Sequence, residues 1–417
     1  MRGTHCQRQE AMCLEPSMSS FLLTRRIVPW AAAVGLALVA GACAPADQTD
    51  ETSEESGQTG EDIDQTVQDI DGESGQSETD GSAQSDDPAN DASDQASEAE
   101  PDVAVATEPL EVEADGITLE GTTFLPETEP LGGVVIAHGS GPFSRTGEMP
   151  GQLGLMLPES VQVYTELAEA FAEAGYVVAT FDKRTCGSFN DCSDNGYPAP
   201  DDDLTFDVMV EDANAVVDAI AARDDVDEVA VVGHSKGGTV AAHLAGNDSI
   251  SAVALLGAPV QPIYEILRMQ AAKLWELSEG TADEPSAMTQ VMSLNATADA
   301  VEAAADGDVS GDDIGGTSRQ FWASWVDASN EAPDLLNDAE VAALAVGGTI
   351  DWNVPASEVE AWADVVDDIE VVILDGMAHT LTHVDEEDAD EIDAVDLDVH
   401  VDQAVPDAIV DFLADSS

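Results

Sequence analysis

The stretch Gly233-His234-Ser235-Lys236-Gly237-Gly238 narrows what this chain can fold into more than any other part of it. It is entered from the β-branched run Glu228-Val229-Ala230-Val231-Val232 and left through Thr239-Val240-Ala241-Ala242-His243-Leu244-Ala245, so a short strand turns sharply into a helix with Ser235 at the bend. Glycines two positions away on each side lack the Cβ atoms that would hold strand and helix apart, and the serine backbone takes up the strain. Its hydroxyl is then presented at a helix N-terminus, where N–H groups and the helix dipole favour a developing negative charge. The spacing alone would describe an ordinary turn. With strand before and helix after, it reads as a nucleophile elbow.

In that architecture an acid and then a histidine follow the serine along the chain. The strand Ala342-Ala343-Leu344-Ala345-Val346 runs into Gly347-Gly348-Thr349-Ile350-Asp351, and Ile369-Glu370-Val371-Val372-Ile373-Leu374 runs into Asp375-Gly376-Met377-Ala378-His379. Ser235, Asp351 and His379 are thereby expected at the carboxyl ends of three strands, where an open parallel sheet forms its ligand crevice. A serine hydroxyl needs a base to take its proton, an imidazole suits that task near neutral pH, and a carboxylate fixes the imidazole tautomer. Of seven histidines, His5 lies in a leader, while His138, His234 and His243 precede or belong to the elbow region. His383 and His400 flank or follow an acidic stretch with no strand to hold them, which favours His379 with His383 in reserve. Asp375 is the nearest competitor of Asp351.

Upstream, Leu131-Gly132-Gly133-Val134-Val135-Ile136-Ala137 reads as a buried strand that ends in His138-Gly139-Ser140-Gly141-Pro142. The backbone N–H groups of Ser140 and Gly139 are candidates for one oxyanion donor, and that of Lys236 for the other. His138 is expected to pack or to fix the loop rather than to react. Lys183 and Arg184, neighbours just past a strand end, are expected to form a salt bridge to Asp182 or an adjacent acid.

The runs His138-Gly139-Ser140-Gly141-Pro142, Phe181-Asp182-Lys183-Arg184-Thr185-Cys186-Gly187 and Gly233-His234-Ser235-Lys236-Gly237-Gly238 resemble a bacterial serine esterase of the α/β-hydrolase superfamily, near its dienelactone-hydrolase-like and prolyl-oligopeptidase-like branches. The likeness covers roughly residues 108 to 417, and Thr185 stands where related enzymes carry glycine. The resemblance implies hydrolysis of carboxylic esters through an acyl-serine intermediate, with no metal and no organic cofactor.

The segments between these motifs fit an α/β-hydrolase fold, a mostly parallel central sheet with helices on both faces. Val112 to Asp115 and Ile117 to Phe124 predict a hairpin, Tyr164 to Gly175 an amphipathic helix, Tyr176 to Phe181 a strand and Phe206 to Ala222 a helix. Ser251 to Gly257 continues the sheet, and the last helix is expected at Ala404 to Leu413. Between Ala258 and Pro333 the alternation gives way to helical stretches, expected to form a cap at about residues 259 to 335. Its methionines and aromatics suit an adaptable acyl pocket, although most are expected to pack the cap onto the core. Asp306-Gly307-Asp308-Val309-Ser310-Gly311 starts like a calcium loop, but Thr317 stands where a bidentate glutamate is needed.

The N-terminal region gives an address. Thr24-Arg25-Arg26, the apolar run Ile27 to Ala40 and then Gly41-Ala42-Cys43 resemble a bacterial lipoprotein signal with Cys43 as the lipidated residue. The apolar run is short for a spanning helix, which needs about 20 residues, and the paired arginines hint at twin-arginine export. Residues 1–43 are therefore read as leader and signal, with Met18 the better start, 44–105 as a disordered acidic linker too polar to offset chain entropy, and 106–417 as the folded domain. In that domain only Cys186 and Cys192 remain, six positions apart, and outside the cytoplasm they are expected to form a disulfide.

The chain carries 12 Lys+Arg against 86 Asp+Glu, a formal net charge of −74. Self-repulsion on this scale calls for screening by salt, which points to a saline environment. With only eight Lys or Arg after the signal, a nucleic acid is not an expected partner, and contact with a membrane is expected only through the lipid anchor. The expected protein is an exported hydrolase, at the outer face of the cell membrane or secreted, acting on small to medium carboxylic esters. A peptidase or acyltransferase on the same scaffold, or a non-catalytic cell-surface binding protein, are the alternatives.

Overall fold

The computed structural model describes residues 105–148, 162–186, 192, 204–281, 284–384 and 400–416. The leader with Cys43, the linker up to residue 104 and the acidic run 385–391 lie outside the described residues.

The sheet begins with a hairpin, β1 (Ala106–Ala114) and β2 (Ile117–Leu125), turning at Asp115-Gly116. Both strands are longer than the apolar pattern suggests, because much of β1 is exposed and its polar residues carry no period. Then come β3 (Gly133–Ala137), β4 (Val177–Phe181), β5 (Val229–His234), β6 (Ile250–Leu256), β7 (Ala342–Gly348) and β8 (Glu370–Leu374). They lie in the order β1-β2-β4-β3-β5-β6-β7-β8. β1, β2 and β4 pair antiparallel in succession, and every pairing from β4 to β8 is parallel. This is the α/β-hydrolase arrangement.

The central strands are continuous apolar runs because both of their faces are covered. Val135, Ala137, Val229 and Val231 point into one core layer with helices α2 (Phe206–Ala221) and α3 (Lys236–Leu244). Val134, Ile136, Ala230 and Val232 point into the other, against α1 (Val163–Glu173) and the terminal helix α9 (Ala404–Ser416). Each fully buried side chain of the size of Leu167 or Phe171 contributes roughly 1.5–3 kcal/mol, so the strand ends rest on a stiff platform.

Between β6 and β7 the chain forms α4 (Ile263–Ser278), α5 (Glu284–Ala305) and α6 (Arg319–Asp338). Helix α6 docks on the layer below. Trp325 stacks on Phe206 and Trp322, Phe206 N–H donates to Ser324 Oγ at 2.8 Å, and His243 Nε2 bonds to the Ala328 carbonyl at 2.9 Å. Pro333 lies inside this helix. The flanking Ala332 and Leu336 are buried, and that packing outweighs the lost main-chain donor. Of the cap methionines, Met288 and Met292 are exposed rather than packed. The loop that starts like a calcium site is bridged by Arg319, whose guanidinium donates to the carbonyls of Asp308 and Asp312. After β7 come two short helices, α7 (Ala356–Glu360) and α8 (Trp362–Val365).

Candidate active site

Ser235 stands between β5 and α3 with φ 54° and ψ −121°, a strained conformation for a residue with a side chain. Its glycine neighbours make that turn possible. A Cβ on Gly233 would land on the carbonyl of Gly237, and a Cβ on Gly237 would land on the carbonyl of Ala137. The Ser235 N–H donates to Leu256 O of β6 at 2.8 Å, which ties the bend to the sheet.

Asp351 and His379 lie on loops beyond β7 and β8 that are stitched together, Thr349 N–H donating to Leu374 O and Ile350 N–H to Met377 O. The three side chains converge. His379 Nδ1 is 2.7 Å from Asp351 Oδ2, and His379 Nε2 is 3.1 Å from Ser235 Oγ. A carboxylate only accepts, so the ring proton sits on Nδ1 and the lone pair of Nε2 faces the serine hydroxyl. The other oxygen of Asp351 accepts the Val354 N–H at 2.8 Å, which fixes the carboxylate plane. Gly257 passes beneath this pair at φ +55°, where a Cβ would touch Asp351 Oδ2 and His379 Nδ1. The alternatives are engaged elsewhere. Asp375 accepts from Thr349 Oγ1, and His383 pairs with Asp402.

The turn after β3 lies against the serine, since a Cβ on Gly139 would contact Ser235 Cβ at 3.4 Å. The N–H of Gly139 corrects the expectation for that residue. It donates to the buried Tyr164 Oη at 2.8 Å, so its single proton is spent. Ser140 and Lys236, the other residues expected to supply oxyanion donors, flank Ser235 from the turn after β3 and from the start of α3. Lys236 is the first residue of α3, directly after Ser235. Its ammonium lies 5.2 Å from the Phe321 ring and 5.5 Å from the Trp325 ring of the cap.

Sequence reasoning missed a chain of three bonds. Tyr164 Oη and His234 Nδ1 are 3.1 Å apart, and His234 Nε2 is 3.0 Å from the carbonyl of His379. A carbonyl only accepts, so Nε2 carries the His234 proton, Nδ1 accepts, and the Tyr164 hydroxyl donates to it while accepting from Gly139. Burial, and then the neighbouring His379, pull the His234 pKa down to about 3, which keeps the ring neutral. Burial likewise raises the Tyr164 pKa well above that of an ordinary phenol. His138 packs edge-on against Tyr164 and Phe181, and neither of its ring nitrogens has a hydrogen-bond partner among the described residues. Burial, followed by the charges of Lys183 and Lys236, holds its pKa far below the usual histidine value.

Of the cations after β4, Arg184 forms a salt bridge to an acid as expected, with Asp212 as its partner rather than Asp182. Asp182 is held by Arg145, and Arg184 grips Asp212 of α2 through two bonds. The Lys183 ammonium donates to the carbonyls of Gly139 at 2.7 Å and Gly141 at 2.6 Å. Cys186 and Cys192 form a disulfide just beyond.

Comparison with known proteins matches residues 157–387 to the family described as serine aminopeptidase, S33. Esterase EstD of Thermotoga maritima is 27% identical over 177 residues, which are 41% of this chain and 38% of EstD. The chain thus spans well under half the length of that relative. Among solved structures, Est1E of Butyrivibrio proteoclasticus with bound ferulic acid is similar at 18% identity and a TM-score of 0.44, covering 74% of this chain and 98% of that one. A thermostable carboxyl esterase of Bacillus coagulans in complex with glycerol is similar at 17% identity and a TM-score of 0.46, covering 75% and 99%.

Proposed function

The chain belongs to the serine aminopeptidase S33 family of hydrolases, and from that premise we propose that it cleaves carboxylic esters of small to medium size through an acyl-serine intermediate. The observation that carries the reading is the hydrogen-bonded line Ser235 Oγ, His379 Nε2, His379 Nδ1, Asp351 Oδ2 at 3.1 and 2.7 Å. Ser235 Oγ attacks the ester carbonyl while its proton passes to His379 Nε2, and Asp351 stabilises the imidazolium that forms. The tetrahedral oxyanion is received by the N–H groups of Ser140 and Lys236. His379 returns the proton to the leaving alkoxide, the alcohol departs, and Ser235 is left acylated. Water, deprotonated by the same nitrogen, then releases the acid and restores the hydroxyl. The partial likeness to an esterase supports an ester over an amide.

The family's description favours a second reading, a peptidase on the same scaffold. A panel of nitrophenyl esters and peptide anilides in high salt, run with wild type and Ser235→Ala, separates the two. Ester turnover lost in the variant supports the first, anilide turnover the second. No turnover and no labelling by a fluorophosphonate would leave a binding protein.

We further propose export, with Cys43 lipidated and the hydrolase domain working in saline surroundings. The net charge of −74 and the Cys186–Cys192 disulfide support that address. Incorporation of labelled palmitate in cells by wild type but not by Cys43→Ser tests it, and equal labelling of both would contradict it.

A further inference from the structure

Lys183 is buried, 6% exposed, in a chain with few cations, and its ammonium is spent on main-chain oxygens of the turn beside the nucleophile. We propose that Lys183 is a positioning residue that aims and polarises the Ser140 N–H as an oxyanion donor. The proposal rests on the hydrolase reading above for its chemistry.

The geometry follows from the peptide plane. Gly139 C=O and Ser140 N–H belong to one peptide group, and in a trans peptide the two point in opposite directions. With the carbonyl drawn onto the Lys183 ammonium, the Ser140 N–H is aimed away from Lys183, and Gly139 itself lies against Ser235. The next anchor has a similar logic. The peptide between Gly141 and Pro142 has no N–H, so its carbonyl is its only hydrogen-bonding group, and the Lys183 ammonium donates to it. One ammonium thus fixes two carbonyls of a turn that passes through φ +109° at Gly141.

Electrostatics acts in the same direction. A positive charge at the oxygen end of a peptide withdraws density from its N–H and strengthens that donor toward an anion, and in a buried site the effect is weakly screened. The charge is set in place before the reaction and costs no reorganisation.

Lys183 is itself well anchored. Asp182 before it is held by Arg145, Arg184 after it by Asp212, and Cys186 by its disulfide. The main chain adds a parallel bond, Lys183 N–H to Phe143 O at 3.3 Å, and Arg145 N–H donates to Asp182 Oδ1 at 2.7 Å. Residues 139–145 and 182–183 are therefore laced together along their length.

The test compares wild type with Lys183→Met, which keeps length without charge, and Lys183→Gln, which keeps an N–H donor without charge. The readouts are kcat and KM on a nitrophenyl ester, the rate of Ser235 labelling by a fluorophosphonate, and affinity for a trifluoromethyl ketone against its methyl ketone analogue. In Lys183→Met we expect kcat, labelling and trifluoromethyl ketone affinity to fall together by about 10- to 100-fold, a weakened rather than a deleted oxyanion donor. KM and methyl ketone affinity should stay within about threefold, and Lys183→Gln should fall in between. A folded Lys183→Met with kcat and labelling within about threefold of wild type would overturn the proposal, as would equal weakening of both ketones. If Lys183→Met does not fold, Lys183→Gln is judged by the same thresholds, and loss of fold in both would reduce Lys183 to a brace and overturn it too. Should wild type hydrolyse no ester, the functional reading fails by itself, and the labelling ratio still decides the role of Lys183.

Discussion

His234 Nε2 donates to the main-chain carbonyl of His379 at 3.0 Å, so the residue before Ser235 holds the loop that carries His379. Through Tyr164 the same imidazole reaches Gly139, on the turn after β3. The two loops on either side of Ser235 are tied to one neutral, buried ring.

Tyr164→Phe removes the middle of that chain and leaves the Gly139 N–H and His234 Nδ1 without their shared partner. The expected cost is about 1–3 kcal/mol of stability for the stranded buried groups. In the folded variant kcat should fall about tenfold with KM unchanged, the pattern of a contact that matters in the transition state. Chemical denaturation and ester kinetics on the same preparation check both.

The elbow tolerates no Cβ at its second glycine. Gly237→Ala would drive a methyl group into the carbonyl of Ala137 at the end of β3. It should destabilise by about 1–3 kcal/mol or more and remove activity. Gly246→Ala is the control, with open space around the added carbon. A denaturation midpoint equal to wild type for Gly237→Ala would contradict the packing described.

His138 and His234 have folded-state pKa values below the ordinary 6.5, mainly through burial. Their contribution is fully present above pH 6.5 and is lost as pH falls, because the unfolded chain binds protons that the native rings refuse. For His234 the window runs from 6.5 down to about 3. Each ring adds a slope of roughly 1.4 kcal/mol per pH unit. Denaturation at a series of pH values should show stability dropping below 6.5, and His138→Leu should make that drop shallower.

Salt should stabilise the fold. Raising ionic strength from ~0.15 M to ~1 M shortens the screening length from about 8 Å to about 3 Å, which weakens repulsion within a chain of net charge −74. Thermal denaturation across that range should show a rising Tm, and a flat profile would remove the support for a saline working environment.

Ser235, Asp351 and His379 were legible in the sequence because each follows an apolar run that forms a parallel strand, buried in β5 and almost wholly so in β7 but only partly in β8, and they come in the chain order that a serine, acid and histidine set requires. Tyr164 was not. It lies on the apolar face of an amphipathic helix, 70 residues from the histidine it bonds, and nothing local separates its hydroxyl from core packing. For Gly139 the sequence identifies the turn but not the direction of each peptide, and direction decides which N–H is free to serve the site. Lys183 was expected beside an acid because Asp182 is its neighbour, yet Arg145, distant in sequence, holds that carboxylate. Long-range partners of this kind leave no spacing to read.

In the proposed cycle Ser235 carries the acyl group as a covalent ester. The most direct measurement is acid quenching of the protein within the first turnovers of a nitrophenyl ester, followed by peptide mass mapping. The acyl mass is expected on the peptide containing Ser235, and absent from Ser235→Ala. Ester turnover that survives in Ser235→Ala, or an acyl group found on another residue, would rule out Ser235 as the acyl carrier.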